Sequence, residues 1–211
     1  NRIKEDYLRI LRYIRFFLNY SKKDHSENTK KIIRKNIEGI AKISPERLLD
    51  ELKKIVLSKN FFNINKDDFL VNILKLIFPQ LININIFNNL NENQKKILKN
   101  KDFFFFISLM IIDETDNSDY FLYKFNIPND QKKRIKFLKN FYIKNQKKSI
   151  FTEDQLWQIL YENNKILLND IIDFNIIKNK NSFKKLIKLK EFFENKEAPK
   201  LHINAKYIMQ K

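Results

Sequence analysis

An all-α fold of about ten helices is predicted from three observations. No stretch alternates apolar and polar residues with a period of two between turn glycines. Gly39 is the only glycine in 211 residues. The four prolines fall only at the edges of helical segments, where a missing N–H is tolerated. No internal repeat is detectable.

The first helix is expected over residues 3–19. In it Asp6, Arg9, Arg12 and Arg15 recur every third residue, with Leu8, Leu11, Ile14 and Leu18 between them. At about 100° per residue, a three-residue step drifts slowly around a helix. The polar residues therefore form a spiral stripe beside an aliphatic one that can be buried. Tyr20 to Asp24 reads as a polar turn. Ser26 is a plausible cap for a helix to about Ala41, with Ile32, Ile33, Ile37 and Ile40 on one face. Ser44-Pro45 starts the next helix, because serine caps free N–H groups and proline suits the first helical position. That helix turns Leu48, Leu49, Leu52, Ile55 and Val56 inward, and Glu46 and Arg47 can tie it to the first helix by ion pairs.

Asn60 to Lys66 is expected to be a linker. Asp67 opens a helix through Phe78, ended by Pro79. The asparagine-rich stretch Asn83 to Asn93 reads as a loop with a short anchoring helix. Two helices follow over about residues 92–112. The apolar run from Phe103 to Ile112 is about half the length that spans a bilayer, so it reads as a core helix. Asp113, Glu114 and Asp116 lack the spacing of a known metal loop and are expected to cap helix ends. A basic helix covers 129–146, buried through Ile135, Phe137, Leu138 and Phe141. Lys132, Lys133, Arg134, Lys136, Lys139, Lys144, Lys147 and Lys148 line its remaining surface. Thr152 caps a helix through Glu162, with Trp157 in the core. Helices over Asn164 to Ile177 and Ser182 to Asn195 follow, the last with a basic stripe of Lys184, Lys185, Lys188 and Lys190. Residues 197–211 are expected to be an ordered tail packed by Leu201, Ile203 and Met209.

A formal net charge of +17 indicates a polyanionic partner. Part of that charge reflects a composition rich in Lys, Asn, Ile and Phe, as an AT-rich coding sequence gives. Arginine is scarcer, so its concentration in Arg2, Arg9, Arg12 and Arg15 carries more information. The absence of cysteine excludes disulfides, thiolate zinc sites and a cysteine nucleophile. A single glycine excludes the glycine-rich phosphate loops. His25 and His202 stand apart from each other and from acidic clusters, and both are expected in exposed loops. No signal peptide is visible, no membrane segment is expected, and a cytoplasmic location is inferred.

The arginine stripe suits a nucleoside triphosphate, since guanidinium forks grip phosphate oxygens in pairs. Asp6 and Arg9 can do something more selective. Cytosine and adenine both place an exocyclic amine beside a ring-nitrogen acceptor, whereas uracil and guanine place a carbonyl beside an N–H. A carboxylate and an arginine one turn apart match the first pair and mismatch the second. The same spacing also describes an ordinary ion pair on a solvated helix.

The run Arg2-Ile3-Lys4-Glu5-Asp6-Tyr7-Leu8-Arg9-Ile10-Leu11-Arg12-Tyr13-Ile14-Arg15-Phe16 resembles the motif opening the neck of class II CCA-adding tRNA nucleotidyltransferases and bacterial poly(A) polymerases. Residues 36–52, with the turn Ser44-Pro45-Glu46-Arg47, resemble the next motif of that family. Residues 125–134 are similar to a weaker helix-start motif, and Ala198-Pro199-Lys200-Leu201-His202-Ile203-Asn204 to a tail segment. The resemblance implies a neck, body and tail arrangement: a nucleotide-templating neck over 1–59, an RNA-binding body over 60–196 and a truncated tail over 197–211. It implies that Asp6 and Arg9 template the base and that Arg12 and Arg15 complete the nucleotide site. Lys132, Lys133, Arg134, Lys136, Lys184, Lys185 and Lys188 are the expected RNA contacts. The implied partners are the tRNA acceptor end, ATP, CTP and an N-terminal head domain. In that family the head holds Mg²⁺ on an Asp-x-Asp pair, and this chain contains no Asp-x-Asp. It is therefore expected to be a headless, C-truncated fragment or one half of a split enzyme, inert alone. Two other classes stay open: poly(A) addition within the family, and a non-catalytic RNA-binding or scaffold module.

Overall fold

The computed structural model describes residues 2–21, 23–145, 151–179 and 183–198. Their regular structure is helical throughout, without a strand, and eleven helices have seven residues or more. The chain divides into two compact units, residues 1–143 and 144–211. The expected tail contacts of Leu201, Ile203 and Met209, together with His202, Lys147, Lys148 and Ser182, lie outside the described residues.

The first unit opens with a single turn, α1 (Arg2–Glu5), followed by α2 (Arg9–Tyr20). The expected continuous first helix is thus broken at Asp6. The break has a local cause: the Asp6 side chain accepts the Leu8 N–H at 3.1 Å, and its carbonyl accepts the Arg9 N–H at 3.1 Å. Aspartate offers the backbone this turn in competition with a helix. α2 then buries Ile10, Leu11 and Ile14 completely.

Ser26 caps α3 (Glu27–Asn36) through the Thr29 N–H. The expected helix does not run on to Ala41 as α; it tightens into a 3-10 segment, Ile37–Lys42. Gly39 in this segment lies under the Tyr7 ring, where any Cβ would overlap the ring carbons. α4 (Pro45–Val56) begins at Pro45 as expected, but the Ser44 side chain makes no cap hydrogen bond. α4 buries Leu48, Leu52, Ile55 and Val56.

The stretch expected as a linker is a second 3-10 segment, Phe61–Lys66, with Phe61 and Ile64 buried. Two apolar residues three apart suffice to seat one eclipsed 3-10 turn on the core. Asp67 caps α5 (Asp68–Ile77) at the Leu70 N–H, and a third 3-10 segment, Ile84–Asn89, follows Pro79. α6 (Glu92–Lys99) starts with a capping box from Asn91 and Gln94. α7 (Phe103–Ile111) buries eight of its nine residues, so it is the core helix that its composition predicts. α8 (Asn117–Lys124) and α9 (Asn129–Asn145) follow, joined through Asn126 at φ 45°.

His25 is not the exposed loop histidine expected. Its side chain is 5 % exposed and stacks on Phe17 at 3.6 Å between ring centroids. The imidazole lies 2.6 Å from the Tyr13 hydroxyl and 2.7 Å from Asp67 Oδ2, so three distant segments meet on one ring. Burial, then the Asp67 charge, raises the Tyr13 phenol above its ordinary value. The histidine was unreadable in sequence because its partners lie 12 and 42 residues away.

In the second unit Thr152 and Gln155 form a capping box on α10 (Glu153–Glu162). α11 (Lys165–Lys178) is buried without interruption from Asp170 to Ile177. Asp173 among them meets Lys190 of α12 (Phe183–Glu194) at 2.6 Å. Trp157 is only half-buried and stands edge-on to Phe193, with ring centroids 5.1 Å apart. Among the described residues no helix is long and apolar enough to cross a membrane.

Candidate nucleotide and RNA interface

Burial of Ile10, Leu11 and Ile14 fixes the rotation of α2 and leaves Arg9, Arg12 and Arg15 on its remaining surface. The side chains of Arg9 and Arg12 are 40 % and 45 % exposed, and that of Arg15 is 27 % exposed. Asp6 belongs to the turn before the helix rather than to the stripe itself. Its carboxylate accepts Arg47 Nη2 at 3.3 Å on both oxygens and lies 3.9 Å from Arg12 Nη1. Arg9 instead faces Glu5 at 3.5 Å. The expected Asp6/Arg9 pair is therefore split between two different partners. Arg47 ties α4 to the first helix as its position suggested, while Glu46 is exposed.

A residue to which sequence reasoning gave no role organises the rest. Glu51, on the inner face of α4, is 3 % exposed and lies 3.2 Å from Arg15 Nε and 3.8 Å from Arg12 Nε. Lys54 reaches the same carboxylate at 3.3 Å. Neither Arg15 Nε nor Glu51 Oε2 has hydrogen-bond alignment, so their contact is an ion pair. The available signal was an acidic residue among the inward positions Leu48, Leu52 and Ile55. A buried carboxylate there requires a cation opposite it.

The result is an alternating row, Arg47, Asp6, Arg12, Glu51, Arg15, with the carboxylates recessed and the guanidiniums partly exposed. Each guanidinium carries five N–H donors, and its acidic neighbour occupies only some of them. The row offers phosphate oxygens guanidinium donors that its carboxylates leave open. It does not suit Mg²⁺: Asp6 and Glu51 are taken up by arginines, and the described residues contain no group of three or more His, Cys, Asp or Glu that could hold a metal ion.

Of the expected RNA contacts, Lys133 and Lys136 are exposed on α9 and Lys132 is half-buried. Arg134 is different: it donates to Asp102 at 2.6 Å, its side chain 15 % exposed, and so ties α9 to the start of α7. Lys139 is likewise held by Asp119 at 2.7 Å. In the second unit Lys184, Lys185 and Lys188 are exposed on α12, whereas Lys190 is bound to Asp173.

Comparison with known proteins identifies two partial relationships. Residues 26–84 match the family described as "Probable RNA and SrmB- binding site of polymerase A". The human mitochondrial CCA tRNA nucleotidyltransferase 1 is 49 % identical over 61 residues, covering 28 % of this chain and 14 % of the relative. The mouse protein of the same name is 51 % identical over 57 residues, 26 % of this chain and 13 % of the relative. The zebrafish protein is 46 % identical over 61 residues, again 28 % and 14 %. The match thus spans about one-seventh of these relatives' length. Residues 26–84 therefore carry the domain described as a probable RNA-binding site of polymerase A, and over about 60 residues the chain is homologous to CCA tRNA nucleotidyltransferase 1.

Proposed function

We propose that this chain is the nucleotide-selecting and RNA-binding part of a tRNA nucleotidyltransferase that adds CCA to tRNA 3′ ends. The observation that carries this reading is the bracing of Arg12 and Arg15 by the buried Glu51 beside the Arg47–Asp6 pair. Arg12 and Arg15 hold the triphosphate of CTP or ATP with the donors that Glu51 leaves open. Asp6 keeps lone pairs beyond those used by Arg47 and accepts from the exocyclic amine of C or A. Arg9 leaves its exposed partner Glu5, a pair worth at most about 1 kcal/mol, and donates to the ring nitrogen. The basic faces of α9 and α12 track the tRNA acceptor end. Mg²⁺, which the family resemblance places on a separate head domain, supplies charge stabilisation at the reacting phosphate.

Poly(A) addition is the second reading, favoured by the polymerase A description of residues 26–84. Both are tested in an enzyme joined to a catalytic head. CTP followed by ATP incorporation into tRNA lacking its 3′ end is expected for the first reading, and ATP alone for the second. Asp6→Ala and Arg9→Ala are expected to relax the C/A preference, and Arg12→Ala and Arg15→Ala to raise KM for both nucleotides. Normal selectivity in both Asp6→Ala and Arg9→Ala removes the templating role.

A further inference from the structure

The arginine row does not end in an ordinary solvated helix face. Phe16 is 53 % exposed and Tyr20 75 % exposed, and their rings stack at 6.0 Å between centroids with 30° between planes. The Arg15 guanidinium lies 4.9 Å from the centre of the Phe16 ring. At about 100° per residue, Phe16 falls between Arg9 and Arg12 around α2, and Tyr20 continues the line. Arg12, Phe16 and Tyr20 each sit four residues apart, so they are spaced about 6 Å along the axis. Isolated exposed aromatics are common, but a stacked pair ordered by a guanidinium and in line with a phosphate-binding row is a built feature.

We propose that Phe16 and Tyr20 form a stacking platform for the unpaired bases at the 3′ end of the RNA substrate. The proposal rests on the reading of α2 as the nucleotide site. The chemistry is that of single-strand recognition: aromatic faces take successive bases, and cations beside them take the backbone. One guanidinium and then two rings follow along one helix face, at a step close to the phosphate spacing of an extended strand. The Tyr20 hydroxyl adds a donor for a ribose or phosphate oxygen. Charge complementarity selects RNA over a protein occupant. The strip is two rings wide, borders Arg9, Arg12 and Arg15, and belongs to a chain of net charge +17. An apolar protein surface would desolvate those guanidiniums without filling the N–H donors that Glu5, Asp6 and Glu51 leave open.

The test uses the whole chain and a hairpin RNA with a short single-stranded 3′ end carrying 2-aminopurine at its last position. Binding is expected to quench the probe, and Phe16→Ala and Tyr20→Ala each to abolish the quench. Both are expected to weaken binding of the tailed hairpin about tenfold while leaving a blunt hairpin unchanged. Phe16→Trp is expected to restore the quench, which a merely structural ring would not require. Circular dichroism is expected to be unaltered, since both side chains lie largely in solvent. Equal quenching in the alanine variants overturns the platform, as does equal weakening of blunt and tailed RNA. Unchanged RNA binding in both alanine variants also overturns it. CTP and ATP titration of Arg12→Ala and Arg15→Ala reports separately on the nucleotide site, so the two readings fail independently.

Discussion

Glu51 and Arg15 approach to 3.2 Å across the α2–α4 packing, with the carboxylate 3 % exposed and the guanidinium side chain 27 % exposed. One buried acid therefore opposes the two arginines assigned to phosphate. Breaking a fully buried pair costs about 3–5 kcal/mol, because the remaining charge is stranded. Here Arg12, Arg15 and Lys54 all reach water, so that figure shrinks. Glu51→Ala is expected to lower stability by about 1–2 kcal/mol, read as a urea midpoint shift at constant slope. A double-mutant cycle with Arg15→Ala should give a favourable coupling; additive losses would show that the pair is geometric only.

Gly39 is required by the Tyr7 ring rather than by its backbone angles, since no glycine has positive φ. Gly39→Ala should therefore be destabilising although alanine favours helices. Overpacking of this kind costs about 1–3 kcal/mol. Tyr7→Ala removes the obstacle, so the penalty of Gly39→Ala should largely vanish in that background. An equal penalty in both backgrounds would place the strain elsewhere.

The fold was legible where a periodic apolar stripe and a cap coincide. Ser26, Asp67 and Thr152 were read as helix starts and cap through their side chains, while Asn91, Asp102 and Asn164 cap in the same way without having been named as caps. α7 was readable from its ten-residue apolar run alone. The helix break at Asp6 was missed because helix spacing and an aspartate turn closed on the Leu8 N–H look identical in sequence. The arginines of the site were visible from their spacing, but Glu51 was not, because its role depends on α4 packing against α2. Sequence shows the charge of Arg134 but not its partner Asp102, 32 residues away.

Asp102 also gives the protein an acid-sensitive point. Burial alone raises its carboxyl, but hydrogen bonds from Arg134 and the Phe105 N–H outweigh it and hold the group below its ordinary value of 3.8. The unfolded chain therefore takes up the proton more readily than the folded one. The stability contributed is complete above 3.8 and is lost as pH falls through the lowered folded value. Asp102→Asn keeps a capping side chain but not the charge, so it should flatten the acid limb of the stability curve below about pH 4. Parallel acid unfolding of the two proteins would exclude Asp102 as a source of that limb.

The last prediction separates the positive charge that binds from the positive charge that holds the fold. Arg134, Lys139 and Lys190 are paired with Asp102, Asp119 and Asp173. Lys133, Lys184, Lys185 and Lys188 are exposed, and Lys136, also exposed, lies 3.8 Å from Asp119. Removing one of the exposed lysines should weaken tRNA binding at every sequence alike and lower the slope of log affinity against log salt by about one unit per lost phosphate contact. The triple change Lys184→Ala, Lys185→Ala, Lys188→Ala should lower it by about two to three units without altering the unfolding midpoint. Arg134→Ala should do the reverse, shifting the midpoint by about 1 kcal/mol through loss of the Asp102 contact while leaving the salt slope nearly intact. A salt slope unmoved by the triple variant would mean that the α12 lysines are solvated compositional charge, and tRNA would then have to be held by the first unit alone.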